Sequence, residues 1–138
     1  TTASRHHPGE GVFRAGFTIM AVFITGAAIW LVMMYQTLGA VTSQFNHANI
    51  QMPEWLDKLL RFVLVTPNMH RVHHHFVRPQ TDSNYSNIFS VWDRVFGTYM
   101  LSPIKDLRFG LDVLEGRNDE NIGELLKTPF DKTIKTDY

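Results

Sequence analysis

The stretch Pro67-Asn68-Met69-His70-Arg71-Val72-His73-His74-His75 decides how the rest of this 138-residue chain is read. Proline suits the first position of a helix, Thr66 before it can cap, and Pro79 stops any continuation. In a helix His70, His73 and His74 stand at i, i+3 and i+4, so three imidazoles share one face. His75 falls about 100° around the same helix and is a bystander. Neutral imidazole is the commonest protein metal ligand and suits iron, zinc, copper or nickel. The cluster is therefore expected to ligate metal, although Arg71 and Arg78 beside it also fit a solvated basic patch.

Composition narrows what such a metal would meet. The chain has no cysteine, which excludes disulfides and thiolate ligands and leaves histidine and carboxylate as strong donors. Its formal net charge of zero gives no electrostatic case for nucleic acid. Charge is unevenly spread: Ala15 to Pro53 contains no Asp, Glu, Lys or Arg, whereas the tail is rich in them. From Phe17 to Met34 the chain is uncharged, and its Phe, Ile, Val and Leu residues favour bilayer insertion by about 2 to 5 kcal/mol. A buried helix of a soluble core is the alternative.

If residues on both sides of this run serve one metal, the chain must return to the side it left, because irregular backbone does not wander through lipid. The expectation is an all-α protein with an integral membrane hairpin over 9–50, turning near Thr25-Gly26. A histidine-bearing helical cap over 53–100 follows, then a polar tail over 101–138. The first hairpin helix is short for a hydrocarbon core of about 30 Å, so a tilted or shallow hairpin and a single span both stay open.

Several further residues are candidates. Pro8 can open a helix with His7 at its cap and Glu10 in its first turn. His7 can ligate metal and Glu10 can orient a ligand histidine from behind; equally, they are an interfacial histidine and an ordinary first-turn carboxylate. His47, in the polar patch Asn46-His47-Ala48-Asn49 after the greasy run, can ligate or be a hydrogen-bonded structural residue. Asp82 and Asn84 are near enough in sequence to accept the second N–H of a ligand histidine, as Asp82 and Asn87 are to cap a helix. Trp55, Leu56, Leu59, Leu60 and Val63 recur at helical spacing opposite Asp57, Lys58 and Arg61, the pattern of an interfacial helix or of one packed on a core. Ile88 to Phe96 reads as an apolar helix stopped by Gly97, with Asp93-Arg94 as a local ion pair, and Asn121 to Lys127 as a short amphipathic helix ended by Pro129.

Four blocks in order carry a resemblance. They are His7-Pro8-Gly9-Glu10; Phe45-Asn46-His47-Ala48-Asn49 with Pro53; Thr66 to His74; and Thr81 to Tyr99 with Trp92-Asp93-Arg94-Val95-Phe96-Gly97-Thr98-Tyr99. Together they resemble the C-terminal half of the fatty acid hydroxylase and sterol desaturase superfamily, membrane non-haem di-iron oxygenases. The resemblance implies two iron ions, with zinc as an occupant after purification, held in a cap facing the cytoplasm. Arg5, Arg14 and the basic tail agree with that orientation. His70, His73 and His74 match the last HxxHH box and His47 a ligand of the preceding helix. His7 matches a recurrent His-Pro position, and His6 and His75 match no box. The other histidine boxes would lie before Thr1, so the 138 residues alone are expected to be inactive.

By the same resemblance, the intact protein is a membrane-bound hydroxylase or desaturase acting with O2 on an unactivated C–H bond of a sterol or fatty-acyl lipid, with electrons from a separate donor. Two alternatives come from other classes. One is a zinc hydrolase on His70, His73 and His74 with Glu10 as base. The other is a non-enzymatic membrane interaction module with structural histidines.

Overall fold

The computed structural model describes residues 7–110 and 121–134; Arg5 and His6 lie outside them. Helix α1 spans Pro8–Thr25 and α2 spans Ile29–Asn46. Between them Gly26 takes a φ of 65°, the left-handed conformation that closes a helix at little cost to glycine. The two helices fold back on one another around a groove of about 470 Å³ lined by Phe17, Ala21, Val22, Leu31, Val32 and Tyr35, among others. The expected turn is thus present, and among the described residues there are no strands, only the isolated bridges Leu64–Phe89 and His75–Phe109.

The membrane hairpin needs a correction. No helix among the described residues is long and apolar enough to cross a membrane. Each arm has 18 residues, about 27 Å of helix, and polar groups occupy part of that length. Glu10 and Arg14 sit in the first half of α1, Gln36 near the middle of α2, and Thr42, Ser43, Gln44 and Asn46 in its second half.

The remaining helices are short: α3 (Glu54–Leu60), α4 (Pro67–His73), α5 (Val91–Val95) and α6 (Ile122–Lys127). Helix α4 is the centre of the cap, because Val65, Met69 and Val72 form its buried apolar core. Its start is as the sequence predicts. Pro67 is the first residue, and the Thr66 hydroxyl accepts a hydrogen bond from the Met69 N–H at 3.3 Å.

Around α4 the cap is inverted. The residues buried there are largely polar: Asp57, Thr66, Ser83, Asn84, Ser90 and Asp93. The Asp57 carboxylate accepts from the Thr66 hydroxyl at 2.7 Å and from Arg61 at 2.8 Å. Asn84, in a left-handed conformation at φ 50°, donates to the carbonyls of Met69 and Met100 and accepts from the Met100 N–H. Meanwhile Trp55, Leu59, Phe62 and Val63 of the α3 region and Trp92, Val95 and Phe96 of the α5 region face outward. The amphipathic pattern over Pro53 to Val65 is present, then, with its apolar side away from the domain's own core.

Two local expectations fail for a non-local reason. Ile88 to Phe96 is not one helix, because the Ile88 carbonyl accepts from the Val65 N–H and the Ser90 N–H donates to the Val63 carbonyl, so α5 starts only at Val91. Asp93 and Arg94 do not pair with each other. Asp93 accepts from the Ser86 N–H and the Thr98 hydroxyl, whereas Arg94 donates to the Ser90 hydroxyl and the Arg61 carbonyl. Gly97, at φ 73°, does end the helix. Pro129 follows α6 but opens a short 3₁₀ turn.

Because Thr66 both caps α4 and supplies a hydrogen bond to a buried carboxylate, Thr66→Ala should lower unfolding stability by about 2 kcal/mol. Thr66→Ser, which keeps the hydroxyl, should recover most of that loss in denaturant titrations followed by circular dichroism.

Candidate metal centre

His70 and His74 sit one helical turn apart, His70 within α4 and His74 at its C-cap, so their rings converge as the i, i+4 spacing dictates. The third ring comes from another element. His47 caps the C-terminus of α2, and its Nε2 lies 3.0 Å from that of His74 and 3.3 Å from that of His70. The His70 and His74 Nε2 atoms are 3.2 Å apart. Three ring nitrogens therefore form a nearly regular triangle.

The protonation state of this triangle follows from its surroundings. The His47 Nδ1 lies 2.8 Å from the Ser43 carbonyl, and a carbonyl oxygen can only accept. In the neutral ring, the form that can ligate metal, Nδ1 must then carry the proton, which leaves Nε2 with a bare lone pair. Burial holds His70 down at about 3 and His74 at about 4, with neighbouring imidazoles adding to the effect, so both are neutral at physiological pH. Three nitrogens of which one cannot donate have no hydrogen-bond pattern that serves all three edges. If both His70 and His74 donate to His47, their hydrogens face each other; if only one does, two lone pairs face each other along an edge.

A cation removes that conflict. Metal–imidazole bonds of about 2.1 Å place neighbouring nitrogens about 3.0 Å apart at right angles and about 3.4 Å apart in a tetrahedron. The observed 3.0 to 3.3 Å fall within that range. Among the described residues, these three are the histidine or carboxylate group whose ligand atoms come close enough to hold one ion.

The other predicted residues sit elsewhere. His73 turns aside from the triangle: its Nδ1 donates to the Ser83 carbonyl at 2.9 Å, its ring edge meets Tyr85, and its Nε2 is left as a lone pair. The helix tightens only after it, where the N–H groups of His74 and His75 bond to carbonyls three residues back. His75 lies past the end of α4, where its Nδ1 accepts from the Arg108 N–H. His7 caps α1, accepts from the Gly9 N–H at 3.0 Å and donates to the Leu126 carbonyl at 3.2 Å, so both its nitrogens are engaged away from the triangle. Glu10 occupies the first turn of α1.

Asp82 pairs with Arg78 at 2.7 Å, and Asn84 is tied to backbone, so neither accepts from a histidine. The acceptors that orient His47 and His73 are the backbone carbonyls of Ser43 and Ser83, which carry no side-chain signature. For His47 a signal does exist, because the carbonyl four residues before a helix C-cap lies close to the cap side chain, and that of Ser43, which already accepts the His47 N–H at 3.1 Å, has a second lone pair for the ring. The Nδ1 of His70 is buried and finds no hydrogen-bond partner among the described residues.

Residues 1–98 match the family described as "Fatty acid hydroxylase". The chain belongs to the fatty acid hydroxylase family. Its histidine triangle and the caps that build it lie within the matched region. Among similar proteins are two alkylglycerol monooxygenases. The one from Homo sapiens is 45% identical over 29% of this chain and 9% of its own length. The one from Xenopus tropicalis is 46% identical over 38% and 11%. Ornithine lipid hydroxylase OlsE of Rhizobium tropici is 24% identical over 72% of this chain and 29% of its own length. The chain thus spans less than a third of these relatives. No solved structure matches it.

Neutral burial of His70 and His74 has a pH consequence. In the unfolded chain both titrate near 6.5, whereas in the fold they bind protons only near 3 and 4. The unfolded state therefore takes up more protons between these values. Freed of metal, the protein should hold the full contribution of these rings above about pH 6.5 and lose it progressively as pH falls toward 4 and then 3. Denaturant midpoints measured across that window should drop on acidification, and less steeply in a His74→Ala variant.

Proposed function

We propose that the chain forms the C-terminal metal-binding part of an O2-dependent lipid hydroxylase, and that His47, His70 and His74 hold one iron of a di-iron centre. The observation that carries this is the triangle of Nε2 atoms, held by two helices and lacking a hydrogen-bond solution of its own. The family assignment and lipid-acting relatives support the substrate class. His73, with its ring fixed through Ser83 and its Nε2 lone pair left, is the donor offered to a second iron. His7, committed at both nitrogens, ranks last in the ligand set.

An iron pair held there would supply oxygen activation, by which one oxygen atom of O2 is inserted into a lipid C–H bond and the other is released as water, with two electrons from a separate donor and two protons from solvent. The chain's own residues have a different task. The imidazoles bring no charge, the Ser43 and Ser83 carbonyls fix ring tautomers, and burial keeps His70 and His74 unprotonated and ready to bind. Any further ligands, and an acceptor for the His70 Nδ1, are assigned to the share of the relatives' length that these residues do not span.

The site works at a membrane facing the cytoplasm, where the lipid is. Neither arm of the hairpin need span alone, because a shallow hairpin together with the outward Trp55, Leu59, Phe62, Trp92 and Phe96 gives the cap an apolar underside. Sterol and fatty-acyl substrates, and hydroxylation or desaturation, fit this arrangement alike.

The zinc hydrolase is a second reading because three imidazoles also suit zinc. The base it needs, Glu10, is not among the groups whose ligand atoms converge.

In the full-length protein in detergent, elemental analysis should find near two irons per chain, with His47→Ala and His74→Ala each losing metal and lipid hydroxylation by at least tenfold, and His75→Ala losing neither. Near-stoichiometric zinc with hydrolytic activity, or metal unchanged by both substitutions, would sink the oxygenase. With the histidine-free surface labelled instead, nitroxides at Phe62→Cys and Phe96→Cys should be shielded from water-soluble relaxants in phospholipid vesicles.

A further inference from the structure

Two vertices of the triangle are set by one helix, but the third is not. His70 and His74 keep their spacing wherever α4 goes, whereas His47 belongs to α2 and must be held against α4 by contacts between the two. Arg71, in the middle of the histidine box, makes such a contact. Its Nη2 donates to the Ala48 carbonyl at 3.2 Å and the Ile50 carbonyl at 3.1 Å, the first and third carbonyls after His47. Its Nη1 reaches Asn68 Oδ1 at 3.4 Å, which steadies the guanidinium from α4's own first turn.

The stretch after α2 needs this. Past Asn46 the chain leaves the helical ladder that would satisfy its carbonyls, and Ala48 and Ile50 lie in that stretch, where the Arg71 guanidinium meets them. His47 has itself left helical geometry at φ −91° and ψ 1°, so the direction of its ring depends on where the following backbone is fixed. A second tie, from the Asn46 amide to the Asn87 carbonyl at 2.8 Å, holds the side of α2 away from the box. It fixes the helix but not the loop beyond it.

We infer that Arg71 is a positioning residue for the metal centre, setting the reach of His47 into the His70–His74 pair by clamping the Ala48 and Ile50 carbonyls. This rests on the metal-binding role proposed above for the triangle. The guanidinium touches no metal and no substrate. It acts through backbone, and its fork suits two carbonyls in a way that the single ammonium of lysine does not.

The test is metal affinity in the full-length protein, measured by chelator competition with Co²⁺, together with the visible Co²⁺ spectrum and the melting temperature of the metal-free form. Arg71→Met should weaken Co²⁺ binding by about tenfold or more and alter the spectrum, since outer-shell partners of metal ligands carry effects of that size. Arg71→Lys should fall between Arg71→Met and the parent. Asn68→Ala, which loosens the guanidinium without removing it, should weaken binding by a few-fold while the metal-free form melts near the parent temperature. The inference is overturned if Arg71→Met and Asn68→Ala bind Co²⁺ with parental affinity and spectrum, or if affinity falls only in step with the melting temperature across the series. Failure of the parent protein to bind Co²⁺ or Fe²⁺ would overturn the metal centre itself, and this inference with it.

Discussion

A buried cluster of lone pairs is the constraint on which this molecule turns. Imidazoles normally settle their hydrogen-bonding needs by rotating or shifting a proton, but His47 is denied both by the Ser43 carbonyl behind it. Packing then drives His70 and His74 toward it while desolvation withholds the second proton from each, so that neither ring can donate from both nitrogens. The fold thus maintains an arrangement that is unfavourable by itself and becomes favourable with a cation at its centre. Much of the cap exists to hold it: Thr66 starts α4, Asp57 secures Thr66, and Asn84 secures the carbonyl of Met69.

That support is polar where most small domains are apolar. Buried carboxylates and hydroxyls are tolerated because each is met: Asp57 by Thr66 and Arg61, Asp93 by Ser86 and Thr98, and Ser90 by Arg61 and Arg94. Hydrogen-bonded interiors of this kind fix geometry more narrowly than interchangeable methyl groups do, which suits a site defined to tenths of an ångström. The apolar residues displaced to the exterior then require a non-aqueous neighbour.

Much of this was legible in the chain. The Gly26 turn, the Thr66-Pro67 start, the Gly97 stop and the His70–His74 pair all follow from local rules about caps, proline, glycine and helical spacing. His47 was legible as a candidate because an uncompensated polar group after an apolar run demands a role. What escaped was non-local. Helical periodicity places Asp57 opposite the apolar residues but cannot say which side faces inward. The split of Ile88 to Phe96 depends on Val63 and Val65, more than twenty residues away. The departure of His73 and the orienting carbonyls of Ser43 and Ser83 left no trace in side-chain identity, and Arg71 read as a flanking charge because its acceptors are backbone carbonyls more than twenty residues away, in the stretch after α2.

The triangle also bears on how the chain finds its shape. His47 and His74 are about 27 positions apart, and an ion bound between them closes that stretch into a ring, much as a disulfide would. By the chain-entropy account, closing a loop of that length removes about 3.5 kcal/mol of freedom from the unfolded ensemble. In a chain without cysteine, imidazole and a bound metal would take the place of the covalent staple, so that loading the centre and consolidating the cap would become one event.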